Sequence, residues 1–334
     1  MAEYTAAENE TKDFCEQGSK CQPVELGFIE QSESSYLTSR FFPSKIGGKP
    51  AWLSMTDIPS SSMLRCNVCN EPSVFLQQVY APVNGKETTF HRTIFIFFCK
   101  SPKCCSKNSN LNFKVFRCQL PRKNKFYDYN PPNETNENVE KWSVDKFQIV
   151  CDVCGCLGDK RCGRCHKKNY CSKEHQVLDW KSGHRENCGL QESSPYHINF
   201  LLPELELVME HENYDDEKEE EKSESQKLEE YQKFLTSPKA DDLVKDSKIF
   251  ESELEALALK SDKIYNKFKK RIANEPEQVL RYQRGGQPLW VSSENIPKAG
   301  DIPSCPCGVP RQFEFQVMKI IFINTFCQFY GSYI

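Results

Sequence analysis

Residues 151–188 read CDVCGCLGDKRCGRCHKKNYCSKEHQVLDWKSGHRENC, and this stretch decides what kind of fold the chain can have. Six of its cysteines and two histidines pair off as Cys151-x2-Cys154, Cys162-x2-Cys165, Cys171-x3-His175 and His184-x3-Cys188. A C-x2-C pair bends as a short knuckle that points both sulfurs at one ion, and ligands four apart share one face of a helix. Four such pairs make two tetrahedral sites of three thiolates and one imidazole each, a donor set that suits zinc. The apolar residues available, Val153, Leu157, Tyr170, Val177, Leu178 and Trp180, are too few to fold the segment by burial alone. Structural zinc supplies roughly 10–16 kcal/mol of apparent binding free energy per ion and replaces the missing core.

The rest of the chain fits a reduced compartment. It has 334 residues, a net charge of −3, 18 cysteines and 38% hydrophobic residues, enough for two or three domains. The polar, acidic N-terminus has no apolar core of a signal peptide, and no apolar run is long enough to cross a membrane. A cytoplasmic and nuclear protein is expected, with cysteines that hold metal rather than form disulfides.

The spacing of residues 151–188, with the dipeptides Tyr170-Cys171 and Asp179-Trp180, resembles the MYND zinc finger. In that family the pairs interleave, which implies one zinc on Cys151, Cys154, Cys171 and His175 and a second on Cys162, Cys165, His184 and Cys188. Cys156 and His166 fall outside the pattern. MYND fingers dock short, often proline-rich, protein segments, and Gln176 and Trp180 match positions lining the peptide groove in relatives; Trp180 can equally serve as a packing staple. With five acids against eight Lys/Arg, and a charge of −1 on each zinc centre, the finger sits near +1. On that mean charge no direct nucleic-acid contact is expected.

A repeat flanks the finger. GGKPAWLSMTDIP (47–59) and GGQPLWVSSENIP (285–297) share Gly, Gly, Pro, Trp, Ser, Ile and Pro at a constant offset of 238 residues. The same offset carries Cys69 to Cys307, Phe75 to Phe313 and Gln78-Val79 to Gln316-Val317. Repeated units usually bury their faces on each other, so the halves are expected to pair into one body. FLQQVYAPV (75–83) and FHRTIFIFFC (90–99) read as strands around an Asn84-Gly85 turn. Cys66, Cys69, Cys99 and one of Cys104 or Cys105 read as a third, zinc-ribbon-like site. The second copy offers Cys305-x-Cys307 but no matching pair, and it is expected to be incomplete after residue 318, as in a shortened form.

Residues 210–230 hold eleven acids and three lysines, the composition of a solvated linker. Phe250, Leu254, Leu257, Ile264, Phe268 and Ile272 recur at helical spacing up to the break at Asn274-Glu275-Pro276, after which a short second helix through Val279 and Leu280 is expected. The organisation expected is an α+β, β-rich fold. It has an unstructured tail (1–21), a β-rich unit with its zinc-ribbon-like site (22–148), the finger (149–190), an acidic linker (205–240), and a helix with the second repeat unit (241–334).

PVELGFIE (23–30), FPSKIGGKPAWL (42–53), LQQVYAPV (76–83), QLPRKNKFYDY (119–129), the finger and EPEQVLRYQRGGQPLW (275–290) together resemble the programmed cell death protein 2 family. That resemblance implies a dedicated chaperone, not an enzyme, which captures a newly made basic ribosomal protein of the small subunit, the S5-family member, and supports small-subunit assembly. The second reading is a chromatin adaptor that recruits corepressors through its finger. No phosphate-binding loop or nucleophile–base constellation points to catalysis.

Overall fold

A computed structural model describes residues 23–83, 85–106, 109–130, 142–191, 194–213 and 263–318. The tail 1–21, the acids from 214 to 230, the stripe at Phe250, Leu254 and Leu257, and the segment after Met318 with Cys327 lie outside them. The fold is β-rich with few helices, and among the described residues no helix is long and apolar enough to cross a membrane. The chain divides into two compact units, one running from Gly27 to Met209 and one comprising residues up to Leu26 with Glu210–Met318. The strands β1 (Glu25–Glu30) and β8 (Leu205–His211) each carry residues of both.

In the Gly27–Met209 unit, β2 (Lys45–Ile46), β3 (Val74–Tyr80), β4 (His91–Phe98) and β5 (Phe113–Leu120) form an antiparallel run, with Leu205 and Glu206 of β8 paired to the far side of β2. Every residue of β4 is buried, which is why it reads as an unbroken aromatic and β-branched run rather than an alternation. The expected 75–83 and 90–99 strands are β3 and β4; β5 was not anticipated. Its half-buried and exposed residues alternate along its second half, and one strand neighbour flanks it.

The Gly-Gly-x-Pro turn anchors this run. Gly47 has φ +63°, and a Cβ there would lie 1.9 Å from the Pro203 carbonyl oxygen. Gly85 has a similar φ of +76° but open space around it. Gly47→Ala is therefore expected to cost well over the roughly 1–2 kcal/mol of the left-handed conformation alone, whereas Gly85→Ala should stay within that range. Urea denaturation of the two variants checks the difference.

Past the turn, Gln78 clamps the chain: its Oε1 accepts from Ala51 N (2.9 Å) and its Nε2 donates to Ala51 O (3.3 Å). In the other unit Gln316 Oε1 accepts from Leu289 N (2.9 Å) and its Nε2 donates to Leu289 O (3.0 Å). Both pairs stand at the repeat offset. Ser54 Oγ likewise accepts from Thr56 N (3.4 Å), as Ser292 Oγ does from Glu294 N (3.1 Å).

The Glu210–Met318 unit holds the helix Lys263–Ala273, which carries Ile264, Phe268 and Ile272 and ends at the expected break. The expected second helix is not formed. Val279 and Leu280 are fully buried, and Leu280 opens strand β9 (Leu280–Tyr282), paired antiparallel with β10 (Phe315–Val317). Burial and backbone partners on β10 override the helix signal of Pro276. The expected linker 205–240 needs a second correction, since its first residues are strand β8. Glu212, at the start of the acidic run, is buried between Arg271 and Arg281 rather than solvated. Two guanidinium partners remove the reason for a carboxylate to seek water.

Candidate metal centres

Three groups of four ligand atoms converge, each with its atoms within 4.8 Å of one another: Cys151, Cys154, Cys171 and His175; Cys162, Cys165, His184 and Cys188; Cys66, Cys69, Cys99 and Cys104. These are the interleaved sets implied for the finger, and in the third group the buried Cys104 takes the place, not the exposed Cys105.

Local hydrogen bonds shape each knuckle. In the first centre Gly155 N donates to Cys151 O (2.9 Å) and Cys151 N to Cys156 O (2.7 Å). The short helix α1 (Lys173–Asp179) is capped by Ser172, whose Oγ accepts from His175 N (3.2 Å) and so fixes the histidine in the first turn. Its Nδ1 lies 3.6 Å from Cys151 Sγ and 3.1 Å from Cys171 Sγ. In the second centre His166 N donates to Cys162 O (3.0 Å), and His166 itself takes φ +54°. The residue outside the ligand pattern is thus the left-handed corner of the knuckle. His184 Nε2 stands 3.4 Å from Cys162 Sγ and 3.6 Å from Cys165 Sγ. The third centre repeats the form, with Asn70 N donating to Cys66 O (3.0 Å) and Asn70 at φ +60°. Backbone N–H groups also reach sulfur, from Val68 to Cys66, Ser101 to Cys99 and Lys167 to Cys165, each at 3.4 Å.

The geometry fits zinc. A tetrahedral ion with Zn–S bonds of about 2.3 Å sets its sulfurs roughly 3.8 Å apart. The observed separations are 3.6 Å for Cys69–Cys99, 3.7 Å for Cys154–Cys171 and 3.8 Å for Cys162–Cys188. Charge leads to the same conclusion. Burial works to raise the Cys66 thiol, but N–H donors from Cys69 and Val68 and the neighbouring thiols bring it down to about 7, while burial pushes Cys99 well up. Within each cluster one thiol is held low and another is raised, Cys151 against Cys171 and Cys165 against Cys188 in the finger. Four donors so close cannot all lose their protons until a cation sits among them, so metal binding releases protons here. Four protein ligands per centre is the closed arrangement of structural zinc.

The finger is joined to the β-rich unit by a shared core. Cys151, Cys154 and Tyr170 pack in one cluster with Trp52, Phe75, Phe95 and Phe97, and Trp52 Nε1 donates to Gly155 O (2.8 Å). Trp180 packs at the edge of this cluster, its ring 5.8 Å from that of His184. Gln176 is half-buried on α1. Asp179 is wholly buried and accepts from the hydroxyls of Tyr170 (2.6 Å) and Tyr196 (2.8 Å). Its role as a buried acceptor had no signal in the spacing beyond its place before Trp180.

Against known families, the Programmed cell death protein 2 N-terminal domain matches residues 23–134, its C-terminal domain residues 262–326, and the MYND finger residues 151–188. Programmed cell death protein 2 of Bos taurus is 46% identical over 308 residues, covering 89% of this chain and 83% of its own. The chain belongs to the programmed cell death protein 2 family. The Rattus norvegicus protein of the same name is 45% identical over 88% of this chain and 83% of its own, and a mouse Programmed cell death protein 2-like is 27% identical over 85% and 79%. No solved structure matches. Within this family frame, the finger interrupts the chain between the two family domains, and the third cysteine centre lies inside the N-terminal one.

Proposed function

We propose that this member of the programmed cell death protein 2 family is a non-enzymatic, zinc-stabilised chaperone. It captures a newly made small-subunit ribosomal protein of the S5 family and supports small-subunit biogenesis in cytoplasm and nucleus. The chain holds three zinc ions, two in the finger and one on Cys66, Cys69, Cys99 and Cys104. The observation that carries the reading is the glutamine clamp present at both copies of the Gly-Gly-x-Pro-x-Trp element, which supports a duplicated β-rich scaffold as the working part of the chain. A protein that acted through its finger alone would have no use for two such copies. A mildly acidic scaffold also suits a basic client that is prone to aggregate before it meets RNA.

Native affinity purification with quantitative mass spectrometry tests this. One small-subunit ribosomal protein recovered near stoichiometrically, without the rest of the ribosome, is the expected result. Corepressor subunits in its place would move the function to the finger and to the adaptor reading, with Gln176 and Trp180 as contacts for a proline-rich segment.

A further inference from the structure

A histidine that ligates zinc usually donates its second ring N–H to an acceptor, and that acceptor fixes the ring. His175 reaches Cys151 and Cys171 through Nδ1, so its Nε2 carries the proton. That nitrogen is buried, and none of the described residues accepts from it. Ser73 Oγ is likewise buried without a hydrogen-bond partner among the described residues. Buried polar groups are rarely left so.

The two groups come from distant parts of the chain. Ser73 closes the hairpin 64–73 just before β3: Ser73 N donates to Leu64 O (2.9 Å), Cys66 N donates to Glu71 O (2.9 Å), and Arg65 pairs antiparallel with Pro72. Cys66 and Cys69 of the third centre lie on this hairpin. His175 stands on α1, which follows strand β7 (Asn169–Tyr170), the antiparallel partner of β6 (Lys160–Arg161). Arg65 fastens the hairpin to the helix. Its Nη1 donates to Asn70 O (2.6 Å), at the corner of the third knuckle, and its Nη2 donates to Glu174 Oε2 (3.3 Å), beside His175 in the chain.

Ser73 and His175 both line one cavity of about 10 Å³, together with Arg65, Cys154, Cys156 and Ser172. That is room for about one water molecule. His175 is only 2% exposed and Phe200 packs on its ring, centroids 4.3 Å apart, so bulk solvent does not serve the N–H. We infer that Ser73 is a positioning residue of the first metal centre: one buried water accepts from His175 Nε2–H and donates to Ser73 Oγ, holding the ring with Nδ1 toward the ion. The hairpin that carries half of the third centre thereby seats a ligand of the first. Neither step depends on the client reading.

Long-range nitrogen–proton NMR spectra of the full zinc-loaded chain test this before any variant is made. His175 Nε2–H should appear as a slowly exchanging resonance with a cross-peak to bound water. Ser73→Ala should shift that resonance, leave the ring signals of His184 in place, and let a chelator compete for one zinc about 10–100-fold more effectively. Ser73→Thr, which keeps the hydroxyl, should behave as the native chain in both respects. Absence of a water contact at that N–H in the native chain would overturn the inference. So would a Ser73→Ala chain whose imidazole resonance is unmoved, whether or not its zinc is held more weakly. Weaker zinc with an unmoved resonance would mean that Ser73 acts by packing alone.

Discussion

Cys151→Ser is expected to unfold the β-rich unit along with the finger. Cys151 is fully buried, and its knuckle carries Gly155, whose carbonyl receives the indole N–H of Trp52. Trp52 in turn packs on Phe95 and Phe97, with ring centroids 4.8 and 6.0 Å apart, so the first metal centre and β4 belong to one core. A zinc worth about 10 kcal/mol or more of apparent binding is comparable with the whole stability of a typical domain, about 5–15 kcal/mol, and the shared packing goes with it. Metal analysis should fall by at least one ion per chain, and amide exchange in β3 and β4 should lose most of its protection. Cys165→Ser, at the half-buried edge of the second centre, should also lose an ion but leave β4 protected. Cys105→Ser should change neither, since that thiol is exposed and stands outside the cluster. Protection in β4 surviving Cys151→Ser would show that the finger folds as a separate body.

The pairing of ligands was legible because metal knuckles are local. Two cysteines three residues apart with a left-handed residue after them leave a signature that distant contacts do not erase. What remained hidden is what distance supplies. Nothing in the sequence joins Trp52 to Gly155, 103 residues on, and the finger therefore reads as a detached module when it shares a core. The choice of Cys104 over Cys105 rests on a single turn of 3-10 helix, Pro102–Cys104, which turns one sulfur inward and leaves its neighbour outside. The recurrence of Gln78 at Gln316 was visible as identity. Its physical cause, an amide that satisfies both polar groups of one backbone residue, needs coordinates to be seen. The helix expected at Val279 and Leu280 and the linker expected from residue 205 failed for one reason. Both segments have strand partners far along the chain, and local composition does not record partners.

Glu212→Ala should be among the most destabilising single changes in the Glu210–Met318 unit. The carboxylate is nearly solvent-free, held by Arg271 through Nε (3.0 Å) and Nη2 (2.9 Å) and by Arg281 Nη2 (2.7 Å), while Arg281 Nη1 donates to Gln278 Oε1 (2.8 Å). The network joins the strand end at residue 212 to the helix Lys263–Ala273 and to β9. Removing the shared anion leaves two guanidinium groups close together without the carboxylate that neutralises them, a loss of about 3–5 kcal/mol for a buried pair. Burial works to raise the Glu212 carboxyl, but hydrogen bonds and charge from Arg271 and Arg281 outweigh it and hold it below its ordinary value. A carboxyl depressed in the folded state adds stability that is fully present above its unfolded pKa of about 4.3 and is lost as pH falls through the folded value. Urea denaturation from neutral pH downward should show the native chain losing this increment in that acidic window. Glu212→Gln, which keeps the shape without the charge, should start lower and lack that part of the acid dependence. Parallel acid profiles for the two proteins would mean that the guanidinium groups find other partners and that the carboxylate is dispensable. Replacing all three residues by apolar ones of similar volume should restore much of the stability, because the cost lies in breaking the network and not in lacking it.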